Sequence, residues 1–226
     1  MDDRTDHSCG WWSKRPLDMF KTYFDEKQLA TLEKRYRTSL INSASGIRTA
    51  FLGISGTEGH WNSGTFSNVT HVGSHPAQIS VLFRPDQGER HTLSNYRLTK
   101  RLTLTTIPLR QAEILHDSSV NAPYGTFEWT AVGGSVHTLE HWTHPIPTSA
   151  LWAMELEFLE EFKLNNGCVY TVGAIKQIGF AKEVTVEDSG QLSWQNGPSL
   201  ALGLNQYTTG NEFDFFPYPN AAKFKF

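Results

Sequence analysis

Cysteine is nearly missing from this chain: Cys9 and Cys168 are the only two in 226 residues. So far apart, they offer neither a disulfide framework nor a metal-binding spacing, and a reducing, cytoplasmic compartment suits them. Charge is also scarce. Charged residues make up 19% and the formal net charge is −3, so a nucleic-acid partner, which needs clustered positive charge, is not expected. No apolar run nears the roughly 20 residues that span a bilayer. The opening Met1-Asp2-Asp3-Arg4-Thr5-Asp6 is acidic and lacks the apolar centre of a secretory signal. A membrane is therefore not an expected partner either. There is no Gly-x-Ser-x-Gly elbow for a serine nucleophile, no glycine-rich dinucleotide fingerprint and no phosphate loop.

Histidine is plentiful, at nine residues, but the spacings do not build a metal site. His71 and His75 are four apart, yet Gly73 and Pro76 oppose a helix between them. His137, His141 and His144 would suit one helical face, but Pro145, Pro147 and nearby glycines favour a loop, and no metal is expected.

Aromatics reach 12%, and the length suffices for one domain with a substantial core. Residues 1–18 read as a tail and 19–226 as a single domain. Trp11-Trp12 in that tail suits packing on the domain surface, an interface or a lid on the substrate side. A helix is predicted from Leu17 to about Leu40, with Leu29, Leu32, Tyr36 and Leu40 forming one apolar stripe and Gly46 following its end. Short strands follow: Thr49–Ile54, closed by a turn over Ser55–Gly59, then Trp61–Val72, Gln78–Phe83 and Leu102–Ile107. Ile79, Val81 and Phe83 share one face by two-residue alternation. A short helix falls at Leu93–Leu98, and Ile114–Trp129 is mixed and rich in turn residues. Glu140–Ala150 reads as a loop. A strand alternating Met154, Leu156 and Phe158 with glutamates meets the turn Asn165-Asn166-Gly167, and Cys168–Phe180 returns as a strand. Many short strands, hairpin turns and few helices predict a mainly β fold, an antiparallel barrel. The aromatic tail, from Phe213 to Phe226, is expected to pack on a partner subunit or close the barrel end.

One stretch carries most of the chemistry. Asn62, Gly64, Thr65, Phe66, Ser67 and Asn68 combine small polar side chains with a glycine that permits close backbone approach. They suit the hydrogen-bonding edge of a flat heterocycle. After the strand ending at Phe83 come Arg84 and the cluster Arg90-His91-Thr92. A planar guanidinium matches phosphate oxygens, Thr92 adds a hydroxyl donor, and a helix beginning at Leu93 would favour an anion at its N-terminal end. Asn95 is placed to cap that helix or to reach a polyol. His116, and Asn205 and Tyr207 in a late turn, complete the set of candidates.

In order and spacing, these residues resemble the flavin reductase-like proteins that bind flavin mononucleotide (FMN) in a split β-barrel. The resemblance runs from about Leu29 to Ala222. It includes Glu33–Arg37, Leu40–Ser43, Ser45-Gly46, Phe66–Val69, His71–Pro76, Arg84-Pro85, Arg90–Thr92 with Asn95, His116 and Gly203–Tyr207. It implies a homodimer with flavin near the subunit interface, and reduction of flavin by NADH or NADPH. Free flavin, oxygen or a partner oxygenase is then expected to receive the electrons, and no side chain need act as acid or base, so no catalytic residue is named. Asn68 and the Gly73–Pro76 loop depart from the serine-and-aspartate pattern of many reductases. That departure keeps open a flavoprotein without turnover, serving as a redox sensor or store, or another split-barrel flavin oxidase.

Overall fold

The computed structural model describes residues 21–85 and 90–210. The Trp11-Trp12 tail, Cys9, the acidic residues Asp86 and Glu89 and the aromatic tail from Phe213 lie outside them.

Two helices open the described chain, α1 (Glu26–Thr31) and α2 (Lys34–Ala44). The single helix predicted to end near Leu40 is therefore split, and it runs on to Ala44. The reason is local. Asp25 caps α1 in a reciprocal box with Gln28, and Glu33 accepts from Tyr36 N at 2.9 Å to start α2 afresh. Leu32 between them is extended (ψ 144°). Neither helix contains a buried residue, and Tyr36 is 54% exposed, so the apolar stripe is at best half-covered within the chain.

The strands are β1 (Ile47–Thr49), β2 (Phe51–Thr57), β3 (His60–Phe66), β4 (Val69–Ser74), β5 (Ala77–Phe83) and β6 (Arg101–Thr106). Helices α3 (His91–Thr99), α4 (Ala112–Asp117) and α5 (Glu128–Ala131) interrupt the later part. Then come β7 (Val136–His137), β8 (Ile146–Pro147), β9 (Trp152–Lys163), β10 (Val169–Phe180), β11 (Val184–Val186), β12 (Leu192–Trp194), β13 (Leu200–Leu202) and β14 (Gln206–Thr208). Seven strands form the main antiparallel sheet, in the order β3-β2-β6-β9-β10-β5-β4. β1, β13 and β14 form a small second sheet.

The connection between β3 and β4 decides the shape. These are the two edge strands, yet only Ser67 and Asn68 separate them. Seven flat strands at about 4.8 Å spacing put their edges roughly 29 Å apart. Three peptide steps reach at most about 11 Å. The sheet must therefore curl until its edges approach at this corner. A contact across the gap agrees: the Phe66 ring of β3 meets the Phe83 ring of β5 edge to face at 5.0 Å, while Leu82 N, donating to Asn68 O at 3.0 Å, carries the β4–β5 ladder up to the corner. The strand predicted over Trp61–Val72 is thus two strands on opposite edges, turning at Ser67-Asn68. No ladder joins β3 to β4 among the described residues, so the barrel is split rather than closed.

The curled sheet has two apolar sides. Phe51, Val81, Phe83, Leu102, Leu104, Met154 and Leu156 fill the interior with Leu93 and Tyr96 of α3. On the outer side, Leu52, Ile54, Ile107, Leu115, Trp129 and Ala201 form a second cluster under α4, α5 and β13. The two-residue alternation along β2 and β5 sorts these sets as expected. At the hairpin between β9 and β10, Gly167 takes φ +82°, which glycine alone adopts without strain. The described helices include none long and apolar enough to cross a membrane.

Candidate functional site

β3 runs along one open edge of the sheet, and its polar side chains would lose hydration there without partners. They find them in a buried chain of hydrogen bonds. Thr92 Oγ1 donates to Asn62 Oδ1 at 2.6 Å, and Asn62 Nδ2 donates to Glu128 Oε1 at 2.8 Å. Glu128 Oε2 accepts from Ser63 N at 2.7 Å and from Ser63 Oγ at 3.3 Å. Ser63 Oγ in turn accepts from Trp129 N at 2.9 Å. Asn95 Nδ2 reaches Ser55 Oγ at 3.4 Å, and Ser55 Oγ reaches Asn62 Oδ1 at 3.5 Å. All seven residues joined here, Asn62, Ser63, Ser55, Thr92, Asn95, Glu128 and Trp129, are buried. The carboxylate thus substitutes for a neighbouring strand on the β3 edge. Burial pushes the Glu128 carboxyl above its ordinary value, opposed by the Ser63 donors and by His91.

This network changes the expected roles of two residues. The Thr92 hydroxyl proton is committed to Asn62, so Thr92 is not a free donor for a phosphate. Asn95 neither caps α3 nor points to an open site; its side chain is buried against Ser55. Thr65 also turns away: its hydroxyl donates to Leu115 O at 2.9 Å. Gly64 does lie against α3, where an added Cβ would stand 3.1 Å from Thr92 Oγ1.

The barrel corner forms the second half of the site. Phe66, half-buried Ser67 and exposed Asn68 lie beside Leu82 and Phe83, with exposed Arg84 following. Arg90 occupies the N-cap position of α3 with no side-chain cap bond there, and its Nε donates to Pro85 O at 3.4 Å. His91 opens the helix and meets Tyr124 edge to face at 5.2 Å. Four residues from Gly64 to Asn68 span roughly 13 Å of extended chain. The corner therefore follows directly on β3, the strand whose Gly64 packs on the first turn of α3.

Tyr207 is elsewhere. It lies on β14 rather than in a turn, and its hydroxyl pairs with His116 Nδ1 at 3.1 Å. That pair touches the site only through α4, whose Leu115 carbonyl receives Thr65. No group of three His, Cys, Asp or Glu that would hold a metal ion occurs among the described residues. Ser55, Ser63 and Glu128 were not singled out from sequence. Glu128 sits in a one-turn helix inside a turn-rich segment, and nothing local marks it as the partner of a strand 65 residues earlier.

The sequence matches no protein-family model and no curated protein. Solved structures are informative. A Shewanella frigidimarina protein assigned as a flavin reductase with a split barrel domain superposes with a TM-score of 0.81 at 25% identity, covering 88% of this chain and 100% of that one. This chain has the split-barrel fold of that flavin reductase-like structure. Its fold is shared with a 2-nitrobenzoate 2-nitroreductase from Pseudomonas fluorescens (TM-score 0.71, 20% identity, 88% and 96% covered). It is shared too with component B of nitrilotriacetate monooxygenase from Bacillus cereus (TM-score 0.70, 17% identity, 86% and 98% covered). The corner carries exposed Asn68 and Arg84, the α3 terminus carries half-buried Arg90 and His91, and the Asn62–Glu128 network is buried beside them.

Proposed function

We propose that this split barrel binds FMN between the Ser67-Asn68 corner and the α3 terminus, and that it is a flavin reductase using NADH or NADPH. The observation that carries the reading is the joining of those two ends by one strand, β3, which packs directly on the first turn of α3 at Gly64. The donor set fits a mononucleotide. Backbone groups at Ser67 and Asn68 suit the ring edge. Arg90, His91 and the first N–H groups of α3 suit the phosphate, since no side chain caps that terminus. Glu128 behind Asn62 argues against phosphate seated on Thr92 itself, so the anion belongs on the Arg90 side.

Bound flavin supplies the hydride chemistry; the chain's residues bind, orient and limit access. The Asn62 amide, held by Glu128, takes the Thr92 hydroxyl proton, which leaves that oxygen suited to accept from a ligand hydroxyl rather than to donate to a phosphate oxygen. Similarity to a monooxygenase component supports an oxygenase as the electron-receiving partner. A homodimer in the cytoplasm completes the proposal.

The test begins with colour. The purified protein should take up FMN and show its absorption, and NADH or NADPH should bleach it under anaerobic conditions. Bound flavin that ignores both nucleotides would leave a flavoprotein without turnover; no flavin uptake at all would reject the reading. Arg90→Ala should weaken FMN about tenfold to a hundredfold, from loss of one charge-assisted phosphate contact, while riboflavin, lacking the phosphate, should bind both forms alike.

A further inference from the structure

The segment joining α4 to α5 is tied to β3 at both ends. Ser118 Oγ lies 3.4 Å from Thr65 Oγ1, and Glu128 accepts the Ser63 N–H. Between these ties the chain makes a tight turn. Thr126 N donates to Pro123 O at 3.1 Å, and Gly125 at the third position has φ +87°, the pattern of a type II turn. Tyr124 is left at the corner of that turn.

Tyr124 is 65% exposed, although its ring carries enough apolar area to favour burial. Among the described residues its ring meets that of His91, at an interplanar angle of 81°. An edge-to-face neighbour leaves ring surface open to a further planar group. His60 flanks the other side of the turn, where a Cβ added to Gly125 would be 3.8 Å from His60 Nδ1. The Tyr124 ring therefore stands against His91, the first residue of α3, and the His60 imidazole lies beside the neighbouring Gly125.

Resting on the proposed function, which puts the flavin phosphate at that terminus, we infer that Tyr124 with His91 forms a shelf for the adenine ring of flavin adenine dinucleotide (FAD). FMN ends at its phosphate. FAD continues through a second phosphate to adenosine, and beyond the α3 terminus the structure offers His91 and the exposed Tyr124 ring against it. Every purine has a face that stacks on an aromatic side chain without needing base-specific hydrogen bonds. The chain thus prefers the dinucleotide to the mononucleotide.

Titrations of riboflavin, FMN and FAD into the full chain, followed by flavin fluorescence and calorimetry, test this. FAD should bind about fivefold to a hundredfold tighter than FMN, the range one base–aromatic stack provides. Tyr124→Ala should remove that advantage while FMN affinity stays as it was, and Tyr124→Phe, which keeps the ring, should retain it. Equal affinity for FMN and FAD, an FAD advantage that survives Tyr124→Ala, or a loss that falls equally on both flavins would overturn the inference and leave FMN binding standing. Failure of all three flavins to bind would instead reject the proposed function, and this shelf with it. A Tyr124→Ala effect seen only in self-association would also overturn it, assigning the ring to a protein contact.

Discussion

At the scale of single residues, Glu128 does the most for the least sequence signal. Three donors converge on its two oxygens, from Asn62, Ser63 N and Ser63 Oγ. Replacing it with alanine strands a backbone N–H and an amide in a buried place. Glu128→Ala is therefore expected to cost about 2–4 kcal/mol in urea unfolding. A loss below about 0.5 kcal/mol would mean that water reaches the β3 edge and that the network is not the frame it is taken to be. Residue types alone did point to Asn62, Thr92 and Asn95 as polar residues with work to do. They could not say whether the work faces a ligand or the interior, because an amide and a hydroxyl satisfy either partner equally well.

At the scale of elements, alternation in β5 and β6, the Asn165–Gly167 turn and the short helix after Thr92 were all legible. These depend on neighbours close in sequence. The errors occurred where a continuous pattern concealed a break. A periodic stripe from Leu29 to Leu40 crosses the gap between α1 and α2, since capping by Glu33 restarts the helix without disturbing the spacing. Trp61 to Val72 reads as one polar strand, because nothing in Ser67-Asn68 announces that the chain crosses from one sheet edge to the other. Close packing along β2 offers a check on that corner. A Cβ on Gly53 would fall 2.7 Å from the Phe66 ring, and Phe66 is held against Phe83. Gly53→Ala should therefore destabilise the protein by about 1–3 kcal/mol through overpacking, read from the urea midpoint. No change in midpoint would show that Phe66 has room to shift and that the corner is loosely packed.

At the scale of the whole molecule, two buried titratable groups set opposing pH slopes. His144 is 1% exposed, and its ring pairs with Thr103 Oγ1 at 2.8 Å. Burial drives its pKa down to about 4 against the pull of Glu155 and the Gly56 backbone. The unfolded chain takes up this proton near pH 6.5, so stability is fully present above 6.5 and is lost as pH falls toward 4, by about 3 kcal/mol. Glu128 works in reverse. Its folded pKa is raised, so its contribution is fully present below the ordinary carboxyl value and is lost as pH rises through the folded one. Unfolding free energy measured between pH 4 and 7 should fall on the acid side in the native chain, and His144→Gln should flatten that limb. An unchanged acid limb would show that His144 is solvated or already protonated in the fold.

Composition and local pattern determined a mainly β fold with hairpins, a polar segment at Asn62–Asn68 and a basic cluster at Arg84 and Arg90–Thr92. Each of these follows from forces between residues near in sequence: strand alternation, turn chemistry and the density of charge. Only the tertiary structure decided that β3 and β4 lie on opposite edges, and that Thr92 gives its proton to Asn62. It alone brought Glu128 to the β3 edge and Tyr124 to the end of α3. Those outcomes depend on how a seven-stranded sheet curls to join edges linked by two residues, and curvature brings together groups that no spacing along the chain records.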